Sequence, residues 1–461
     1  MNTTRRIVML LALVGTGWCS VTAAQAAEKA VAEEARKLAL PFVESGYVQG
    51  MSIGLIKGDE RITLHVGKVR SDGDAKPDDR TLYEIGSVSK TFTALLLAEE
   101  VTRGNLKLDT PVAELLPAHV KLPAGKDRGM TLGDLASHTS GLPRMPGNFT
   151  PKDKDDPYAD YTLEQLYESL GQAKLGSEPG RLYLYSNLGA TALGQALAHH
   201  LKQDYDALLR ERIFKVLKMD DTATKLSAEQ QKRFAQGHTG DGEPAKAWEL
   251  NVFNPAGGIR SNMVDMMRYV EAQLGKRKSS LDEAITLSHE QRLSLGSGGI
   301  ALGWHVSADK VTRWHNGQTG GYHSFVGFNT DMGIGVVILT NTGSGEVDRL
   351  GDQLIRMLAG KKEKPVTFAK VAQVDRKTLE KYVGTYAIVP AFQLTVTLRG
   401  DRLRVQATGQ DAFTIYPESE TRFNYRVTKA AITFDVDKDG NVNKLTLHQN
   451  GMDMPALRVK P

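Results

Sequence analysis

Ser87 and Lys90 stand three residues apart in "EIGSVSKTFTALLLAEEVTRG", residues 84–104, at the start of an apolar run. On a helix, positions three apart share a face, so the lysine amine can reach the serine hydroxyl. A serine hydroxyl attacks a carbonyl only when a neighbouring base takes its proton. Lysine, with an unperturbed pKa of about 10.4, does so near neutral pH only if burial or nearby cations favour its neutral form. A helix start adds partial positive charge where an oxyanion would form. The spacing alone is cheap, and Ser307 with Lys310 repeats it. That second pair lies between two strand-like segments, in an expected hairpin turn. Ser87 instead follows Gly86 and opens the run Phe92, Leu95, Leu96, Val101, read as an amphipathic helix that Gly104 ends.

Two further constellations can complete such a site. Tyr185-Ser186-Asn187 is the only Tyr-x-Asn in the chain, in a loop leading to another apolar helix. A phenol near lysines relays a proton, and an amide orients a substrate carbonyl. His315-Asn316-Gly317-Gln318 offers a polar head followed by glycine on a strand, where a substrate can lie against free backbone N–H groups. His65-Val66-Gly67 and His238-Thr239-Gly240 also match His-x-Gly. His238 falls in a polar, Gly-rich stretch and His65 precedes the serine helix, so position favours His315. His199-His200 reads as two surface residues, because neighbours on a helix diverge by about 100°.

The elements that must hold these groups follow from pattern. Residues 28–45 are helical, and "MSIGLIKGDERITLHVGK" gives two strands around a turn at Gly58-Asp59. Residues 87–290 read mostly as helix and loop. Strand patterns return at "LGWHV", "VTRWHNGQTGGYHSFVGF" and "MGIGVVILTN". Strands from both ends of this region imply an antiparallel sheet with a helical lobe, an α+β fold in the form of an α/β/α sandwich. A lysine-rich stretch follows. Beyond it Leu394, Val396, Leu398, Leu403 and Val405 alternate and Asp439-Gly440 marks a turn, a meander that forms a small antiparallel β-barrel. The expected division is a hydrolase-like domain over 27–360, a linker over 361–376 and a β domain over 377–461.

Taken in order, the three constellations resemble the penicillin-recognising serine hydrolases, in the branch of class C β-lactamases and D-Ala-D-Ala carboxypeptidases. The resemblance covers roughly residues 30–355 and extends to "LKLDTPVAELLP", "TLGDLASHTSGLP" and "NPAGGIRSNMVDMMRYV". It implies Ser87 as the acylated nucleophile, Lys90 as its activating partner and Tyr185 as proton carrier for the leaving group. It further implies an oxyanion hole from the backbone N–H groups of Ser87 and Gln318, and Asn187 on the substrate amide. Where class C β-lactamases show Lys-Thr-Gly, this chain has His315-Asn316-Gly317. That exchange replaces a permanent positive charge for a substrate carboxylate by one that depends on pH, and argues against efficient antibiotic hydrolysis. Beyond that stretch, the C-terminal part is similar to the lipocalin-like appendage of related hydrolases.

The reaction so implied proceeds through an acyl-enzyme on D-Ala-D-Ala-type peptides or β-lactams. Small esters, or penicillin binding without turnover, are the alternatives. No cofactor and no metal is expected. The chain has no Gly-x-Ser-x-Gly elbow, no His-Glu-x-x-His and no phosphate loop.

Composition sets the setting. The chain has 461 residues, 41% of them hydrophobic, enough for a substantial core. Arg5, Arg6, an apolar run and Ala24-Gln25-Ala26 read as a cleavable secretory leader over residues 1–26, shorter than a membrane span requires. Cys19, the only cysteine, lies inside that leader. The mature chain would then carry no thiol, which excludes disulfides and cysteine nucleophiles and suits an oxidising periplasm. Removing the leader takes away two arginines and no acid, lowering the net charge from +4 to +2. Nothing in that balance calls for nucleic acid or a membrane surface.

Overall fold

A computed structural model describes residues 15–368 and 371–459. Its central element is a sheet of eight antiparallel strands. In spatial order these are 60–67, 50–57, 334–340, 323–329, 313–318, 305–306, 298–300 and 293–295. The strands come from the two ends of the region, with the helical lobe between, as the sequence predicts.

Alternation along the central strands explains the layers. Ile53, Leu55, Val336 and Ile338 point to one face, where helices Gly15–Glu44 and Val347–Leu358 cover them with Ala35, Leu38, Phe42, Leu350 and Leu354. Ile56, Val337 and Leu339 point to the other, against the lobe that carries Phe92, Met263, Met266 and Tyr269. A strand buried on both faces reads as an unbroken apolar run, as Ile334–Thr340 does. The edge strand Glu60–Gly67 buries only Ile62, Leu64 and Val66 and alternates with exposed positions.

The leader reading falls partly outside the described residues, which omit 1–14; residues 15–26 belong to the helix Gly15–Glu44. No helix among the described residues is long and apolar enough to cross a membrane.

After the helix Arg376–Tyr382, eight strands from Gly384 to Arg458 close into an antiparallel barrel. Leu394, Val396, Leu403, Val405, Phe423, Phe434 and Leu445 fill it, so its interior is a packed core. The Asp439-Gly440 turn is present, with the Gly440 N–H on the Asp437 carbonyl at 3.0 Å. The barrel touches the N-terminal part through Asp241, whose carboxylate accepts from the Thr414 backbone at 3.1 Å and whose carbonyl accepts from the Tyr416 hydroxyl at 2.5 Å.

Candidate active site

Ser87 sits in a single tight turn, Gly86–Val88, that feeds the helix Ser89–Thr102. From Thr81 to Glu100, Ser87 alone is not buried. The helix differs from the amphipathic expectation: Ser89 to Glu100 are all buried, because it runs through the middle of the lobe with neighbours on every side. Gly86 has φ +50, and a Cβ there would stand 2.6 Å from the Gln318 nitrogen. The two backbones therefore meet only because glycine is present at the contact.

The segment 254–261, legible in the sequence only as a connecting phrase, braces this turn. Ile85 N–H donates to the Ile259 carbonyl at 3.0 Å, and Ser89 Oγ accepts from Ile259 N–H at 3.1 Å. Lys90 Nζ lies 3.0 Å from Ser87 Oγ and donates to the Ala256 carbonyl at 2.5 Å. No carboxylate lies within ion-pair reach of Lys90 among the described residues. Burial, joined by the positive charge of Arg144, drives its pKa well below the ordinary lysine value. A buried amine without an acidic partner is a base, and it is one hydrogen bond from the serine.

Tyr185 arrives from the loop before helix Asn187–Leu201. Its neighbour Ser186 caps that helix, accepting from Gly189 N–H at 2.8 Å and donating to the Pro143 carbonyl at 2.6 Å. Lys90 Nζ is 4.9 Å and the Arg144 guanidinium carbon 5.0 Å from the centre of the Tyr185 ring. Burial pushes the phenol up to about 12, against the opposing pull of the Ser87 hydroxyl and the Arg144 charge. It is thus a phenol, a proton donor, at neutral pH. Asn187 lines the cleft; its Nδ2 lies 3.5 Å from the Met145 sulfur and its buried Oδ1 has no partner.

The strand Arg313–Gln318 forms the facing wall. Gly317 pairs with Ser324, whose hydroxyl donates to the Ile85 carbonyl at 2.7 Å. A Cβ on Gly317 would lie 2.8 Å from the Ser87 nitrogen, so the Ser87 turn and this strand are in backbone contact. His315 differs from the pH-dependent cation foreseen in the sequence. It is buried, its Nδ1 is 2.5 Å from the Asn316 carbonyl, and burial keeps its pKa well below the usual histidine value. A neutral imidazole results.

The remaining motifs fall elsewhere. Ser307 and Lys310 occupy the expected hairpin turn, Lys310 N–H on the Ser307 carbonyl at 3.0 Å. His65 bridges Ser52 and Asp79, and His238 is buried with Nδ1 3.0 Å from the Asn341 carbonyl. His199 and His200 are exposed. No group of three or more metal-ligating side chains comes together among the described residues.

Other groups at the site carry no signature of their own in the sequence. Tyr158, Trp248, Leu250 and Phe253 make an apolar, mostly aromatic wall beside Ser87. His323 lies between the Gln318 side chain, at 3.1 Å, and Asp348, at 2.7 Å, while Asn316 Nδ2 donates to Asp348 at 2.6 Å. Asp348 thereby anchors the side chains on both sides of Gly317. Arg144 follows "TLGDLASHTSGLP" directly, the only hint that it belongs here.

The profile described as Beta-lactamase matches residues 35–361, well over half of the chain. The chain belongs to the β-lactamase family. It is a serine hydrolase, and residues 369–460 match a domain of unknown function, DUF3471. Among relatives, the β-lactamase of Pseudomonas fluorescens is 26% identical over 345 residues, 67% of this chain and 93% of that one. The D-alanyl-D-alanine-carboxypeptidase/endopeptidase AmpH of Escherichia coli (strain K12) is 28% identical over 343 residues, 70% of this chain and 87% of that one. A class C β-lactamase structure superposes with a TM-score of 0.65 at 23% identity, covering 73% of this chain and 98% of that chain. The D-alanine carboxypeptidase AmpC from Burkholderia cenocepacia gives 0.63 at 24% identity, over 71% and 99%. These superpositions establish the family fold.

Proposed function

We propose that the chain is an exported hydrolase of D-Ala-D-Ala-type peptides, β-lactams or both, working through an acyl-enzyme on Ser87. The 3.0 Å approach of a buried, carboxylate-free Lys90 to the one open side chain of its helix entrance carries this reading. Neutral Lys90 takes the Ser87 proton, and Oγ attacks the substrate carbonyl. The oxyanion is held by the backbone N–H groups of Ser87 and Gln318. Tyr185 gives its proton to the departing amine as the carbonyl re-forms, leaving the acyl-enzyme. Water then attacks the ester with the proton transfers reversed, which frees the acid and restores Ser87. Asn187 bonds the substrate amide, and His315 with Gly317 lines the strand on which the substrate lies. The names of the relatives, a β-lactamase and a D-alanyl-D-alanine carboxypeptidase/endopeptidase, support this substrate class.

Export to the periplasm rests on the leader reading of residues 1–26. The separate cores support a hydrolase domain over 27–360 and a barrel domain over 377–461, while within the linker of 361–376 Val366 and Phe368 pack on the first core and Val374 on the second. The packed barrel interior favours a role in packing or oligomerisation.

One observation favours a second reading, an esterase on small esters: the neutral His315 supplies no cation for a carboxylate, and the cleft wall is apolar. Turnover of p-nitrophenyl butyrate, nitrocefin and a D-Ala-D-Ala peptide separates the two. Hydrolysis of the ester alone refutes the peptidase and lactamase reading. Intact mass after brief exposure to a penicillin reports acylation and release together, and an adduct never released identifies a binding protein. Ser87→Ala is expected to reduce turnover by roughly 10⁴-fold or more. Near-normal activity in that variant sinks the nucleophile assignment.

A further inference from the structure

The tautomer of His315 is fixed by its neighbour. A carbonyl only accepts, so the 2.5 Å contact to Asn316 requires a proton on Nδ1. In the neutral ring Nε2 is then a bare lone pair, and it is buried with no partner. A lone pair repels a carboxylate. Lys90 is buried and engaged with Ser87 Oγ and the Ala256 carbonyl, so it does not reach a substrate carboxylate. The strand side of the cleft is therefore without a cation for an anionic substrate.

A cation stands on the other side. Arg144 is exposed and has no carboxylate within ion-pair reach among the described residues. Its guanidinium lies over the Tyr185 ring, 5.0 Å from the centre. Stacking of this kind positions a guanidinium while leaving its N–H donors open. Its backbone is tied to the substrate-binding helix, the Arg144 carbonyl accepting from Asn187 N–H at 2.9 Å and from Leu188 N–H at 3.3 Å. Among the described residues Arg144 is thus an unpaired cation beside the phenol assigned to protonate the leaving amine.

We propose that Arg144 receives the carboxylate carried by the leaving group, as a two-pronged ion pair, and is the residue that selects C-terminal peptide acids over neutral substrates. The inference rests on the peptidase reading above. Planar guanidinium and planar carboxylate match in two parallel hydrogen bonds, which a point charge cannot reproduce. It also explains how the strand can carry a neutral histidine without loss of anionic substrates.

The test uses the full chain, its Arg144→Ala and Arg144→Lys variants, and three substrates: diacetyl-Lys-D-Ala-D-Ala, the same peptide as its C-terminal amide, and p-nitrophenyl butyrate. The peptides differ only in the carboxylate. In Arg144→Ala, assayed above the acid limb of both enzymes, the ratio of kcat/KM for the acid to that for the amide or the ester is expected to fall by about tenfold or more, chiefly through KM for the acid. Arg144→Lys recovers part of the loss, and high salt erodes the preference for the acid in the parent enzyme but not in Arg144→Ala. Equal losses on all three substrates, or no loss on the acid, overturn the assignment of Arg144 while leaving the peptidase reading standing. A parent enzyme that cleaves the ester and neither peptide overturns both.

Discussion

Gly317 lies against the carbonyl of Ile85 with no room for a side chain: a Cβ on Gly317 would stand 2.0 Å from that oxygen. The contact brings the backbone N–H groups of Ser87 and Gln318 to the same edge of the cleft. Gly317→Ala must push the strand off the serine turn and spread these two donors. Loss of one oxyanion donor costs about 10²–10³ in kcat, and a loss of that size is expected here. Circular dichroism and thermal unfolding establish that the variant is folded, and turnover within about threefold of the parent refutes the two-donor arrangement.

The acid limb of the pH profile reports Lys90. Its pKa is lowered by burial and then by Arg144, so the neutral amine persists to lower pH than in an ordinary lysine, and activity is lost as pH falls through that lowered value. Removing the Arg144 charge raises the Lys90 pKa. The acid limb of kcat/KM for p-nitrophenyl butyrate is therefore expected to move to higher pH in Arg144→Ala. A displacement to lower pH contradicts Lys90 as the base.

Acid stability should show the buried histidines. Burial, with the Arg313 charge adding, pushes His289 down to about 3, and its Nε2 lies 2.7 Å from Gln273 Oε1. A folded-state value below the unfolded one of about 6.5 means that the unfolded chain binds the proton first. The contribution is fully present above about pH 6.5 and disappears as pH falls toward 3. His305, pushed down to about 4, acts with the same sign. His289→Gln is expected to flatten the fall of the urea midpoint between about pH 7 and pH 4. An unchanged slope refutes the assignment.

Arg426 fastens the barrel to the hydrolase domain. Its guanidinium lies 3.4 Å from the centre of the Tyr416 ring and 4.7 Å from that of Tyr47, and it donates to the carbonyls of Ser45 and Gly46. Arg426→Ala removes those hydrogen bonds and the packing on both rings, and water takes over the exposed Gly46 carbonyl, so the fastening is weakened by about 1 kcal/mol. Limited proteolysis across 361–376 should quicken while ester hydrolysis persists. Proteolysis at the parent rate removes the fastening role.

The grouping of these residues was legible before any coordinate, though not their roles. Ser87, Asn187 and Gln318 line one pocket, Lys90 lies 3.0 Å from Ser87 and 4.9 Å from the Tyr185 ring, and the rings of Tyr185 and His315 are 6.3 Å apart, because reactive groups stand at helix starts and strand edges, and those places leave a pattern in sequence. The rival pairs at Ser307, His65 and His238 were separable by the elements that hold them. The charge of His315 was not legible. Its identity suggests a switch near neutral pH, yet its burial is a product of packing and cancels that expectation. Arg144, the Ala256 carbonyl and the His323–Asp348 pair left no mark either, since each acts through proximity between segments distant in the chain.

The order of residues by itself determined the chemistry on offer: a hydroxyl and an amine one turn apart, a phenol with an amide, glycines where backbones must touch, and alternation that builds a sheet and a barrel. Only the tertiary structure decided which groups carry charge. Ionisation is set by the water and the partners removed around a side chain, and the fold strips both from Lys90 and His315 while leaving Arg144 in solvent.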